Sequence, residues 1–99
     1  MIDRADLNAT LLPLGFERGS SAWEPTVNPD YWTIPSFCTI WVDSDGNVRL
    51  QDNSAFKEIP ARHKTWQSVR RALLVMHNNH AGRAVLIAAY PELAAWLLS

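Results

Sequence analysis

Apolar positions recur along this chain at two different spacings, and the change of spacing predicts where helices give way to strands. Leu7, Leu11 and Leu14 follow at helical intervals after Asp3, which predicts a helix from about Asp3 to Leu12. Asp3 is placed to cap it, Asp6 stands at the third helical position as in a capping box, and Ile2 and Leu7 can form a hydrophobic staple. Pro13 and Gly15 stop it. Phe16 then opens an extended stretch, Gly19-Ser20-Ser21 reads as a turn, and Trp23–Val27 reads as a strand. Pro25, Pro29 and Pro35 interrupt regular pairing. Asn28-Pro29-Asp30-Tyr31 carries turn chemistry, which leaves Tyr31 and Trp32 in a proline-bounded loop.

The strongest β signal is Phe37–Val42, rich in β-branched and aromatic residues. Cys38, Ile40 and Val42 alternate with Phe37, Thr39 and Trp41. Two largely apolar faces predict an inner strand. Asp43-Ser44-Asp45-Gly46-Asn47 turns the chain, with Gly46 free to take a positive φ, and Val48–Asp52 returns. Asn53–Lys64 reads as a connector anchored by Phe56 and Ile59. Thr65 is placed to cap a second helix whose stripe is Trp66, Val69, Leu73 and Met76, with Arg71 opposite and Arg70 and His77 on one flank. Asn78–Gly82 ends that helix. Arg83–Tyr90 reads as helix, a strand over Ala84–Tyr90 being the alternative, and Pro91 suits the first turn of a final helix to Leu98. The expected architecture is a single α+β domain over residues 1–99 in the order α-β-β-β-α-α, an antiparallel sheet with helices packed on one face. Its first five elements share the topology of double-stranded RNA-binding domains, an analogy of fold alone.

Composition supports a folded chain: 47% of residues are hydrophobic, 19% are charged and five are Trp, enough apolar material for one modest core. Cys38 is the only cysteine, so no intrachain disulfide can form, which fits a cytoplasmic location. The start of the sequence has acids where a signal peptide has bases, and Ala84–Leu98 is short for a membrane span and broken by Pro91 and Glu92.

Charge changes the picture more. The net charge of −1 hides a segregation. Residues 1–59 hold nine acids and four bases, whereas Pro60–Pro91 holds Arg62, Lys64, Arg70, Arg71 and Arg83, all three histidines and no acid. Such asymmetry makes a directional field, which concerns partners rather than fold. Arg62, Lys64, Arg70 and Arg71 gather around one helix. A solvated basic face, pairing with Asp43, Asp45, Asp52 and Glu58, is the plain alternative.

Candidate chemistry is sparse. The Asp43–Asn47 run starts like a calcium loop, but its sixth position is Val48 and its twelfth Ser54, so a hairpin turn is expected. His77 and His80, with His63, fall short of a zinc ligand set because no cysteine pair or carboxylate supports them. Cys38, in mid-strand, is expected to be buried and inert. No nucleophile elbow, phosphate loop or dinucleotide fingerprint occurs. The sequence thus assigns no catalytic, cofactor or metal residue.

The final helix has almost no polar face, which predicts that it is buried all round or covered by another chain, as in a homodimer. These features lead to a non-enzymatic interaction module, an adaptor, inhibitor or accessory protein of bacterial or phage type. It would bind a protein partner through Arg62, Lys64, Arg70, Arg71, Tyr31, Trp32 and Trp96. A nucleic-acid-binding module using the four cations on phosphates is the alternative, and a small metal-dependent enzyme using the histidines ranks below both.

Overall fold

The computed structural model describes residues 2–19 and 30–99; the expected strand at 23–27 lies outside them. Helix α1, Arg4–Leu11, starts as its sequence predicts. The Asp6 backbone N–H donates to Asp3 Oδ1 at 2.9 Å, and the Asp3 N–H donates to Asp6 Oδ2 at 3.1 Å, closing a capping box. A 3₁₀ turn over Leu12–Leu14 follows, ended by Gly15 at φ 106°. A side chain there would be doubly opposed, by the left-handed backbone and by the Tyr90 ring, which occupies the space a Cβ would take.

Five strands form an antiparallel meander in sequence order: β1 Glu17–Gly19, β2 Tyr31–Ile34, β3 Cys38–Val42, β4 Val48–Asp52 and β5 Lys57–His63. Three helices then follow: α2 Trp66–Asn78, α3 Arg83–Ala89 and α4 Pro91–Leu98. The fold is α+β, in the order α-β-β-β-β-β-α-α-α rather than the expected α-β-β-β-α-α. The five-strand meander also departs from the topology of double-stranded RNA-binding domains.

β1 falls in the stretch from Phe16 that reads as extended, and two further strands were not expected. Tyr31 and Trp32 belong to β2, not to a loop. Their side chains point to opposite faces, with Trp32 fully buried and Tyr31 half-buried. β5 occupies the expected connector. Leu50 pairs with Ile59 and Val48 with His63, so two steps along β4 match four along β5. That bulge, on an edge strand, accommodates Pro60, which has no N–H to give a ladder. The hairpin between β3 and β4 is as expected: Gly46 has φ 81° and its N–H donates to the Asp43 carbonyl at 3.0 Å.

Register puts the apolar strand positions on one side. Trp32 and Leu50 flank Ile40, Cys38 pairs with Ile34, and Val48 pairs with Val42. These residues join Leu7 and Leu11 of α1, Val69 and Leu73 of α2, Leu86 of α3, and Leu93 and Leu97 of α4 in one continuous core. The Trp32 indole N–H donates to Asn8 Oδ1 at 2.9 Å, fastening the sheet to α1. The final helix is therefore covered by its own chain: Leu93, Ala94 and Leu97 are buried. No helix among the described residues is long and apolar enough to cross a membrane.

The two phenylalanines beside β3 and β5 have opposite fates. Phe37 sits in the turn before β3, is fully buried, and meets the rings of His77 and His80 edge-on at 6.0 and 6.1 Å. Phe56, expected as a core anchor, is 86% exposed and holds φ 52° in the turn between β4 and β5. A left-handed backbone costs a non-glycine residue about 1–2 kcal/mol, and this side chain recovers little of it by packing. Phe37→Ala is expected to lower unfolding free energy by about 3–5 kcal/mol. Phe56→Gly is expected to leave it unchanged or raise it by up to about 1 kcal/mol, because relief of the backbone exceeds the added entropy of the unfolded chain. Urea unfolding of both variants checks the contrast.

Candidate functional site

The rotation of α2 about its axis positions the candidate site. Thr65 Oγ1 accepts the Ser68 N–H at 3.2 Å and starts the helix. Val69, Leu73 and His77 are then fully buried, with Trp66 and Met76 packed beside them. His77 thus joins the stripe that the sequence assigned to Met76 and its predecessors. Residues 67, 70, 71 and 74 are turned toward solvent or toward α4 as a result.

Between α2 and α4 lies an open groove of 550 Å³. Trp66 and Trp96 form one wall, ring edge to ring face, with centroids 6.1 Å apart at 87°. The Arg70 guanidinium lies over Trp96, 5.5 Å from the ring centroid, a cation–π contact. Its Nη2 donates to the carbonyl and hydroxyl oxygens of Ser99. Arg71 is exposed at the rim, beside Gln67, and Thr10 of α1 contributes from the far side.

The structure thus divides the seven residues that the sequence singled out. Arg70, Arg71 and Trp96 meet in the groove. Arg62 and Lys64 do not line it. Arg62 is exposed on β5, and Lys64 borders a smaller hollow of 270 Å³ with Asp45, Gly46 and Asn47 of the hairpin turn. Tyr31 and Trp32 belong to the sheet, and Trp32, expected to be exposed, has no surface to offer. Sequence reasoning missed Trp66 and Thr10 as groove residues. Trp66 was legible only as a stripe residue, and nothing in the chain's order signals that Thr10 approaches α2.

The plain alternative for the basic face, pairing with the hairpin acids, applies unevenly. Asp43 and Glu58 both lie against Arg49, and Asp30 takes Arg4 and Arg18 at 3.1 and 3.2 Å. Burial would raise the Asp43 carboxyl, but backbone N–H groups of Asn47 and Asp45, with Arg49 and Arg62, hold it below the ordinary carboxylate value. Arg62 therefore shares in the hairpin's charge. Among the described residues, Arg70 and Arg71 have no Asp or Glu side chain within salt-bridge distance.

Other candidate chemistry is held in structural roles. Burial pushes the Cys38 thiol up to about 12, so it is protonated at neutral pH. His80 Nε2 lies 2.7 Å from the Ser36 carbonyl and its Nδ1 accepts the Gly82 N–H at 3.0 Å. His63 Nδ1 meets Ser68 Oγ at 2.6 Å, joining the end of β5 to the first turn of α2. Among the described residues, no three His, Cys, Asp or Glu side chains are grouped to hold a metal ion.

Comparison with protein-family models, curated proteins and solved structures finds no match to this chain.

Burial holds His63 and His77 below the ordinary histidine value, helped by Arg49 for His63 and by Arg83 and His80 for His77. Both have a buried Nε2 without a partner among the described residues. Because the folded pKa values are depressed, the unfolded chain takes up protons more readily as pH falls. Stability is expected to be full above about pH 6.5, the unperturbed histidine value, and to decline below it. Urea midpoints at pH 7.5 and 5.5 check this, and His77→Phe is expected to flatten the difference.

Proposed function

We propose that this chain is a non-enzymatic binding module that engages a protein partner through the α2–α4 groove, in an adaptor, inhibitor or accessory role. One observation carries the reading. Two arginines without an Asp or Glu partner among the described residues stand beside two Trp rings in an open groove. Trp and Arg dominate the energetics of protein interfaces because each offers large contact area together with directional donors. The groove volume falls within the range of about 300–1,000 Å³ typical of binding pockets. Burial of Cys38 and the structural engagement of the histidines and hairpin acids favour binding over catalysis.

The contact surface of this reading is narrower than the seven residues named from sequence. It centres on Arg70, Arg71, Trp66 and Trp96, with Arg62 and Lys64 contributing only to the long-range field. The apolar character of α4 no longer argues for a homodimer, because Leu93, Ala94 and Leu97 lie within the chain's own core.

A nucleic-acid partner is the second reading, since a Trp ring beside arginine is also a stacking platform. A net charge of −1 weighs against it.

A photo-crosslinking residue at Gln67, in the groove, is expected to give a discrete protein adduct in native cells. The same residue at Ala55, outside the groove, is expected to give none, and Arg71→Glu to abolish the Gln67 adduct. Equal adducts from both positions, or none from Gln67, would remove the reading. Adducts to nucleic acid at Gln67, with affinity falling steeply in salt, would establish the second reading instead.

A further inference from the structure

The state of Arg70 narrows the chemistry of the groove's occupant. A guanidinium has five N–H donors in a planar fork. Both hydrogen bonds that Arg70 makes to Ser99 leave from Nη2. Nη1 and Nε have no acceptor among the described residues. Arg70 is half-buried, held by Trp96 and Ser99, so its fork is already ordered. Arg71, the next residue, is exposed and likewise without a carboxylate among the described residues. No Asp or Glu lines the groove. An ordered fork with a free edge, in a wall without an Asp or Glu side chain, is complementary to a carboxylate, which arginine binds by two parallel bonds.

The rest of the wall selects what carries that carboxylate. Trp66, Trp96 and Leu74 present apolar surface beside the two cations. A nucleic-acid strand carries a phosphate at every nucleotide and needs a basic track that continues beyond one groove. Here Arg62 and Lys64 are outside the groove, and residues 1–59 carry a formal charge of −5, nine acids against four bases. A peptide can instead bring one or two carboxylates and one large apolar side chain without further charge.

We infer that the groove recognises an acidic peptide segment of the partner, one in which an Asp or Glu takes the free edge of Arg70 or the exposed Arg71 while a neighbouring apolar side chain packs on Trp66 and Trp96. The inference rests on the binding-module reading and adds the chemistry of the ligand.

The test is selection of a randomised peptide display library on the wild-type protein, followed by fluorescence polarisation with the synthesised winners. Enriched sequences are expected to place Asp or Glu within a few positions of Trp, Phe or Leu. Changing that acid to its amide is expected to weaken binding about tenfold, the scale of one charge-assisted hydrogen bond. Arg71→Gln and Trp96→Leu are each expected to do the same. Arg71 is exposed, so its variant reports on binding without disturbing the core, and unchanged urea unfolding verifies that. Failure to enrich any sequence, enrichment without acids, or equal affinity for the amide peptide would overturn the inference. Displacement of the peptide by a single-stranded oligonucleotide with a steep salt dependence would overturn it in favour of nucleic acid. The two readings fail separately. A protein adduct at Gln67 together with acid-free winners leaves the module intact and removes its acidic ligand, whereas loss of the adduct removes both.

Discussion

Burying one stripe of α2 is the constraint on which the other features of the molecule depend. Val69, Leu73 and His77 are all at most 1% exposed, so the helix cannot roll without exposing apolar side chains. Each such side chain contributes about 1.5–3 kcal/mol by leaving water. With that roll fixed, the 100° step between successive helix residues fixes the rest. Trp66 meets α4, Arg70 lies across Trp96, and Arg71 faces solvent. The groove is thus a by-product of core packing, built on helices whose positions the core has already determined. Such sites hold their geometry better than sites on loops.

The same packing explains what happens to α4. A helix with so few polar positions needs cover on most of its circumference. That cover comes from α2, α3 and the 3₁₀ turn at Leu12–Leu14. Leu93, Ala94 and Leu97 join the core, Trp96 is partly buried beside them, and Ala95 and Leu98 lie exposed on the other side. Total apolarity therefore marked a helix with one buried face, its other face carrying small or terminal apolar residues in water.

Legibility from sequence followed how local each signal was. The capping box at Asp3 and Asp6, the stripe of α2 and the Gly46 turn depend on residues a few positions apart, and all three are present. β2 and β5 are different. Tyr31–Ile34 is four residues between prolines, and it is a strand because β1 and β3 pair with it on either side. Lys57–His63 has little apolar alternation, since an edge strand can be held by backbone bonds to one neighbour while its side chains stay in water. Phe56 was misplaced for a related reason: in a connector an aromatic would anchor, but at a hairpin tip it has nothing to pack against. For the site, the types Arg and Trp were legible, and their grouping was not. Arg62 and Lys64 stand only a few residues before α2, yet the end of β5 directs them to the hairpin, whereas Arg70 and Arg71 lie within the helix.

Charge segregation along the chain becomes, in three dimensions, a segregation of partners. Three of the five acids of residues 30–58 are engaged with arginines nearby: Asp30 with Arg4 and Arg18, Asp43 and Glu58 with Arg49. Arg49 is itself largely covered, with a buried Nε, so the two acids offset the desolvation of its charge. These pairings leave the cations of α2 uncompensated by the described acids. Exposed pairs contribute little to stability, so folding gains almost nothing from neutralising Arg70 and Arg71, and packing alone decides where they stand. The acid-free stretch therefore matters less as a basic arm than as a stretch in which two arginines reach a Trp-lined groove without a competing Asp or Glu side chain among the residues that line it. That local absence of competing side chains, rather than the net field, is the ground for proposing an acidic ligand.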